Sequence, residues 1–330
     1  MQTTPVDLVW AGTRLLVSGH STATVGIEIS MSGYQVGLNS FGSQTTDFPH
    51  RRDGYLDHLT WYSGGPALRF FGFDDPVNCD ALIGEEIRIT VHDDHVCSSC
   101  GGDVDPDRDV CWDCADSPPM TPCIWSPGTE CSWGDCPYPE YKRDACAHTF
   151  VVYLVAKDTV KVGITRADRR QARWAEQGAT HAIIIGECHN RKVAGIVEMC
   201  LAEEYPSKAD SSWYVPVDDP VGSLVEAADE VGQYFPDRLD GCYTLDGVTV
   251  TEIRKRVVSV PDRGDRVNDE VVAGNSELSK GDRQRGRVVG VRGSVIATES
   301  FTFNAKLHAG TRVTLETTGD LAMPEEASNT

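Results

Sequence analysis

Phe150-Val-Val-Tyr-Leu-Val155, followed a short hairpin later by Val160-Lys-Val-Gly-Ile164, is the stretch on which the reading of this chain turns. The first run is continuously apolar and rich in β-branched residues, as a strand buried on both faces should be. Ala167 to Gln177 then reads as a helix, and Gly178 stands where a helix of this kind stops. His181-Ala-Ile-Ile-Ile185 is a third strand. Arg191 to Tyr205 is a longer helix, with Val193, Ile196, Val197, Cys200 and Leu201 along one face. Residues 149–216 therefore have the order β-β-α-β-α, expected to form an α/β domain.

Upstream, the chain changes character. Cys97-Ser-Ser-Cys100 and Cys111-Trp-Asp-Cys114 form a C-x2-C-x10-C-x2-C pattern. Each pair can turn two thiolates to one side, and two such knuckles supply the four-sulfur tetrahedron that zinc prefers. Redox chemistry at one C-x-x-C is the weaker alternative, because that motif opens a helix in a βαβ setting. Cys123, Cys131, Cys136 and Cys146 follow at irregular spacings, with His148 close behind. Residues 96–148 are poor in core-forming side chains, so a staple is needed. We expect a zinc-ribbon-like module with a second zinc on those four cysteines, His148 being a substitute ligand or site residue. One zinc plus free thiols is the alternative. Cys79, Cys188, Cys200 and Cys242 read as small core residues.

The flanks are β-rich. Leu8-Val9-Trp10, Arg14 to Val17, Thr24 to Ile29 and Ala67 to Phe71 favour strands, and Glu86 to Val91 alternates cleanly. The stretch 38–66 reads as loop. After a helical connector over 217–240, Val248-Thr-Val250, Val257-Val258, Arg287 to Val291, Val295-Ile296 and Arg312 to Glu316 are candidate strands. The span 262–284 reads as polar loop and 321–330 as a flexible tail. The expected whole is an α+β, multidomain chain: a β-rich domain (1–95), the cysteine module (96–148), the α/β domain (149–216), the connector (217–240) and a β-rich domain (241–320). Whether the two β segments join is left open.

Composition narrows the partners. The 330 residues carry a formal charge of −20, from 50 Asp+Glu against 30 Lys+Arg, and eight of the basic residues are lysine. An acidic, lysine-poor surface fits a halophilic proteome, where strong salt screens the self-repulsion. In that setting a negative total does not exclude nucleic acid. No apolar run has the length of a membrane span, and Met1-Gln-Thr-Thr-Pro5 has no signal-peptide pattern, so a cytoplasmic protein is expected. Two basic islands interrupt the acidic background. Lys161, Arg166, Arg169, Arg170 and Arg173 are opposed by Asp168 alone in the immediate sequence. Arg283, Arg285, Arg287 and Arg292, with Arg254-Lys255-Arg256, form the other, beside Phe301 and Phe303. The first is the expected phosphate-binding surface. The bland reading of each arginine is pairing with the many carboxylates.

Val151-Val-Tyr153, Lys161-Val-Gly163, Arg173 and Glu198, in β-β-α-β-α order, resemble the GIY-YIG nuclease superfamily, in its branch whose second tripeptide begins with Lys. Ser212-Trp213-Tyr214 is similar to that branch's closing aromatic pair. More closely, the stretch from the C-x-x-C pairs through His148-Thr-Phe-Val-Val-Tyr153, Lys161 to Arg166, Arg173-Trp174, Gln177-Gly178-Ala179 and Glu198 resembles the domain of unknown function 2797 family. The superfamily resemblance implies a role for each matching residue. Tyr153 would position or deprotonate the attacking water, and Gly163 would keep a strand close to the site. Arg173 would stabilise phosphorane-like charge, and Glu198 would hold one divalent metal, Mg or Mn. Lys161 and His181 would assist. Such a set suits phosphodiester hydrolysis. Val151 and Val152 stand where the first tripeptide has Gly and Ile. The blander alternatives are a solvated Glu198, and an Arg173 that pairs with Glu176 or covers Trp174. Three functions follow: a metal-dependent endonuclease, a nucleic-acid-binding protein that does not cut, or a zinc-bearing scaffold of a larger complex.

Overall fold

The run at 150 is a strand with both faces covered. In a computed structural model, β9 (Phe150–Ala156) is buried at every position and lies in the middle of its sheet. The structure describes residues 7–10, 13–18, 26–31, 34–37, 48–62, 65–207, 212–242, 257–260 and 268–322, with the chain path alone for 7–37 and 233–242. The expected strand Val248-Thr-Val250, the basic run Arg254-Lys255-Arg256 and the tail from 323 lie outside the described residues.

Two compact units divide at Phe48 and Pro49. In the first, β1 (Asp7–Trp10), β2 (Thr13–Ser18), β3 (Gly26–Met31) and β4 (Tyr34–Gly37) make an antiparallel meander. These are the three β-favouring runs expected there plus one more.

The second unit begins with β5 (His50–Tyr62), β6 (Gly65–Phe70), β7 (Val77–Asn78) and β8 (Glu86–His95). β5 runs through the expected loop 38–66, covering 50–62 of it. Its register shifts between Leu56 and Leu59, a bulge that breaks the alternation a strand reading depends on. In β8 the clean alternation holds, with Ile87, Ile89 and Val91 all buried. The cysteine-rich span has short helical turns: α1 (Trp112–Ala115), α2 (Pro122–Trp125), α3 (Pro127–Glu130) and α4 (Pro139–Tyr141), with a 3-10 turn at Pro118–Met120 and a π turn at Lys142–Cys146. Pro127 is their one buried residue, which is why the segment needs a staple.

β9 pairs on either side with β10 (Val160–Arg166) and β11 (His181–Cys188), both antiparallel. Between them runs α5 (Arg170–Glu176), stopped at Gly178, whose φ of 73° suits glycine. α6 (Arg191–Leu201) opens on Asn190, whose side chain accepts from the Val193 N–H. α7 (Pro220–Cys242) follows, and β12 (Val257–Ser259) adds to β11 as a fourth strand. The two faces of β9 feed two cores. Phe150, Val152, Leu154 and Ala156 pack with Val193, Val197 and Leu201 of α6 and Leu224 and Ala228 of α7. Val151, Tyr153 and Val155 join Trp174 and Ala175 of α5 in the core of the large sheet.

That large sheet answers the question left open by the sequence. α8 (Asp269–Ala273) and β13 (Ser276–Glu277) occupy part of the span expected as loop, because Asn268 caps the short helix by accepting from the Val271 N–H. β14 (Arg283–Arg292), β15 (Val295–Thr298), β16 (Phe301–Asn304) and β17 (Thr311–Thr317) complete the chain. β8 pairs with both β14 and β17, and β17 also with β5, so residues 50–95 of the first flank and the C-terminal strands from 276 share one nine-stranded sheet ordered β13-β16-β15-β14-β8-β17-β5-β6-β7. The fold is α+β with sheets dominant. Among the described residues, no helix is long and apolar enough to cross a membrane.

Candidate functional site

The sulfurs of Cys97, Cys100, Cys111 and Cys114 all lie within 4.8 Å of one another. A tetrahedron with metal–sulfur bonds of about 2.3 Å has sulfur–sulfur edges of roughly 3.8 Å, and Cys100 Sγ stands 3.9 Å from Cys111 Sγ. The Cys111 N–H donates to Cys97 Sγ at 3.3 Å. Burial would raise the Cys97 thiol, but backbone donors at Cys111, Ser99 and Cys100 outweigh it and bring the group down to about 6. A sulfur held as thiolate by N–H donors suits a metal ligand. These four cysteines can hold a metal such as zinc.

The second set is not gathered in this way. Cys123, Cys131, Cys136 and Cys146 are half-buried. Their thiols are raised at Cys131 and Cys146 by burial first, then by one another's charges. His148 is turned elsewhere, its Nε2 3.0 Å from the Asp144 carbonyl.

Beside this module lies a cleft of about 910 Å³ within the second unit. The C-terminal half of α5 supplies Arg173 and Glu176, with Gln177 just after it; α6 supplies Glu198; Trp125 and Ser126 come from the cysteine-rich segment; Arg292 comes from the end of β14 and Gly293 from the turn that follows. Its walls carry five cationic side chains (Lys157, Arg169, Arg173, Arg292, Lys306) and three carboxylates (Asp57, Glu176, Glu198). Part of that positive charge is offset, since Arg169 and Arg173 share Glu176 and Arg292 pairs with Asp269.

Tyr153 lies beneath it, fully buried. Its hydroxyl donates to Gln177 Oε1 at 2.9 Å, and its ring meets Trp174 edge-on at 5.8 Å. Burial pushes the phenol well above its usual range. Arg173 works against that shift and Glu198 adds to it, so both groups lie close enough to act on the ring. Burial also pushes the Glu198 carboxyl up to about 7, with Arg191 and Arg173 opposing. Tyr153, Arg173 and Glu198 thus lie near one another. Gly163 faces Tyr153 across the β9–β10 ladder. Here the glycine makes room for the ring rather than for a ligand.

Other sequence candidates go elsewhere. Lys161 is buried and pairs with Asp158 at 3.3 Å, away from the cleft lining. His181, lowered by burial, has its Nδ1 3.2 Å from the Thr180 hydroxyl and does not line the cleft either. The first basic island is substantially neutralised. Arg166 pairs with Asp168 at 2.5 Å, Arg169 with Glu176 at 3.1 Å, and Arg173 with the same Glu176 at 3.5 Å. Arg170 donates to the Ala167 carbonyl at 2.5 Å. The pairing of Arg173 with Glu176, one of the two blander alternatives, is therefore realised alongside its place in the cleft. In the second island, Arg285 pairs with Glu86 at 2.8 Å, Arg283 with Glu316 at 4.0 Å and Arg292 with Asp269 at 3.0 Å. Arg287 donates to the Gly84 carbonyl at 2.8 Å. Phe301 and Phe303 are buried, so they offer no platform for bases.

Sequence reasoning missed Arg191 and Trp125. Arg191 donates to the Ile124 carbonyl at 2.8 Å and stands near Glu198, linking the cysteine segment to the carboxylate. Trp125 is 73% exposed on the cleft wall. An exposed aromatic two residues after Cys123 was the signal available.

No curated protein and no solved structure matches the chain. Residues 84–313 match the family model described as Protein of unknown function (DUF2797), a span that takes in the four-cysteine cluster, the α/β sheet and most of the large sheet. Over half its length lying within that match, the chain belongs to the DUF2797 family.

Proposed function

We propose that this protein processes nucleic acid, with a zinc-stapled module beside a GIY-YIG-like site that hydrolyses phosphodiester bonds. The observation that carries the reading is the convergence of Arg173 and Glu198 on one cation-rich cleft directly over Tyr153. Glu198 is the residue to hold Mg²⁺ or Mn²⁺; when bound there, a hard cation supplies charge neutralisation at the scissile phosphate. Arg173 sets a fixed positive charge where the phosphorane-like charge develops. Tyr153, hydrogen-bonded to Gln177 and pressed against Trp174, orients the groups above it. Arg169 and Arg173 present the phosphate-binding edge, with Arg166 and Arg170 further along the same segment; Lys161 supports the strand rather than the substrate. The zinc on Cys97, Cys100, Cys111 and Cys114 is structural. A second zinc on Cys123, Cys131, Cys136 and Cys146 fits a segment whose thiols act on one another and whose core is a single proline.

A second reading, binding without cleavage, is favoured by one observation. Tyr153 has no exposed surface, and its phenol is held protonated, so it is poorly placed to activate water.

The test is cleavage of labelled DNA and RNA in high salt, with and without Mg²⁺ or Mn²⁺, by the native chain and by Glu198→Ala and Arg173→Ala. Metal-dependent cutting that both substitutions abolish is the expected result. Equal behaviour of native and Glu198→Ala proteins removes the enzyme. Binding without turnover leaves the second reading.

A further inference from the structure

The indole of Trp125 is set apart from the other described tryptophans of its segment. Trp112 is also exposed, but the Arg108 guanidinium covers its ring at 3.6 Å. Lys142 lies 4.4 Å from the centre of Trp133. Among the described residues, no cation covers Trp125, which is exposed and lines the cleft. Leaving so large an apolar ring in water forgoes the stabilisation that burial would give.

Its position is also built. Ser126 and Pro127 follow it directly, and Pro127 and Gly128 seat on Gly195 of α6. A methyl group added at Gly195 would stand 2.6 Å from Pro127 Cγ and 2.7 Å from the Gly128 nitrogen. The Arg191 guanidinium, from the first turn of the same helix, holds the Ile124 carbonyl. Trp125 is thus clamped on both sides to the helix that carries Glu198.

We infer that Trp125 is a stacking platform for an unpaired base, and that the cleft takes single-stranded nucleic acid. This rests on the nucleic-acid reading above. An indole face can stack only on a base whose own face is free, and a duplex hides its base faces in the helix. Arg169 and Arg173, on the α5 wall of the same cleft, suit the flanking phosphates. A strand with its phosphate at Arg173 and a neighbouring base on Trp125 uses both walls together.

The experiment measures affinity by fluorescence anisotropy, in high salt without added Mg²⁺, for short labelled single strands of DNA and RNA and for the matching duplexes. Native protein, Trp125→Ala and Trp125→Phe are compared. Because the side chain is exposed, both variants should melt with the native protein. Native protein should prefer single strands; Trp125→Ala should weaken single-strand binding roughly tenfold, as loss of one stacking platform does. Trp125→Phe should restore most of it, and duplex binding should be unmoved. If Trp125→Ala binds single strands as the native protein does, or loses both forms equally, the platform is wrong while the nucleic-acid reading stands. If the native protein binds no nucleic acid of any form, both are overturned.

Discussion

Gly163 lies opposite Tyr153 in the β9–β10 ladder, and a methyl group at its Cα would stand 2.6 Å from the Tyr153 hydroxyl oxygen. The ring cannot swing aside, because it is buried, hydrogen-bonded to Gln177 and packed on Trp174. Gly163→Ala should therefore cost about 1–3 kcal/mol by overpacking, measured by denaturant unfolding. Tyr153→Phe in the same chain should relieve part of the loss, since the hydroxyl is the nearest atom. An unchanged unfolding midpoint in Gly163→Ala would show that the ring yields freely.

The raised Glu198 carboxyl makes stability depend on pH. Its group sits at about 7 in the folded chain against an ordinary value of 4.5. A folded value above the unfolded one favours the proton-bound form, so stability is complete below about 4.5 and falls as pH rises through about 7. Glu198→Gln keeps the shape without the charge. It should melt with the native protein at acid pH and above it at alkaline pH, by on the order of 1–3 kcal/mol. Mg²⁺ or Mn²⁺ should stabilise the native chain and not the variant under alkaline conditions. Parallel pH profiles for the two proteins would refute the assignment.

Local patterns made the centre of this fold legible, while non-local pairings made the rest opaque. β9 was readable because both its faces are buried, giving an unbroken apolar run. The Cys97–Cys114 cluster was readable because two C-x2-C knuckles bring four sulfurs together at fixed short spacings. β5 was not, since its bulge at Leu56–Leu59 mixes the faces and Asp53, Gly54 and Asp57 look like loop. The meeting of β8 with β14 and β17 leaves no local trace, because each strand shows only its own alternation. At the site, Tyr153, Arg173 and Glu198 stood out by type and order. Glu176, which pairs two of the arginines, and Trp125, which forms a wall, come together only through packing.

Metal analysis of the purified chain tests the cysteine module. Zinc on both cysteine sets is expected. A single equivalent, lost in Cys100→Ser and Cys111→Ser, would confine the metal to the gathered cluster and dismiss the second site. Folded protein with no metal would dismiss both. Chelation should unfold 97–148 first, seen as rapid proteolysis there, because its short helices bury one residue, Pro127.

The contact between Gly128 and Gly195 should govern whether the module reaches the cleft at all. A methyl group on Gly128 would meet the Gly195 carbonyl at 2.6 Å, and one on Gly195 would meet Pro127 at the same distance. Backbone cannot yield as a side-chain tip can, so α3 would have to lift from α6. Gly195 lies inside a helix, where alanine is otherwise the better former by about 1 kcal/mol. Propensity therefore predicts that Gly195→Ala stabilises, while the contact predicts that it destabilises. Overpacking costs about 1–3 kcal/mol and should win. Gly195→Ala should lower the melting temperature and expose 118–148 to protease, while leaving zinc on Cys97, Cys100, Cys111 and Cys114 unchanged. A rise in melting temperature with protease resistance intact would mean that helix propensity outweighs the contact and that the module is held to α6 by other means, Arg191 and its bond to Ile124 foremost.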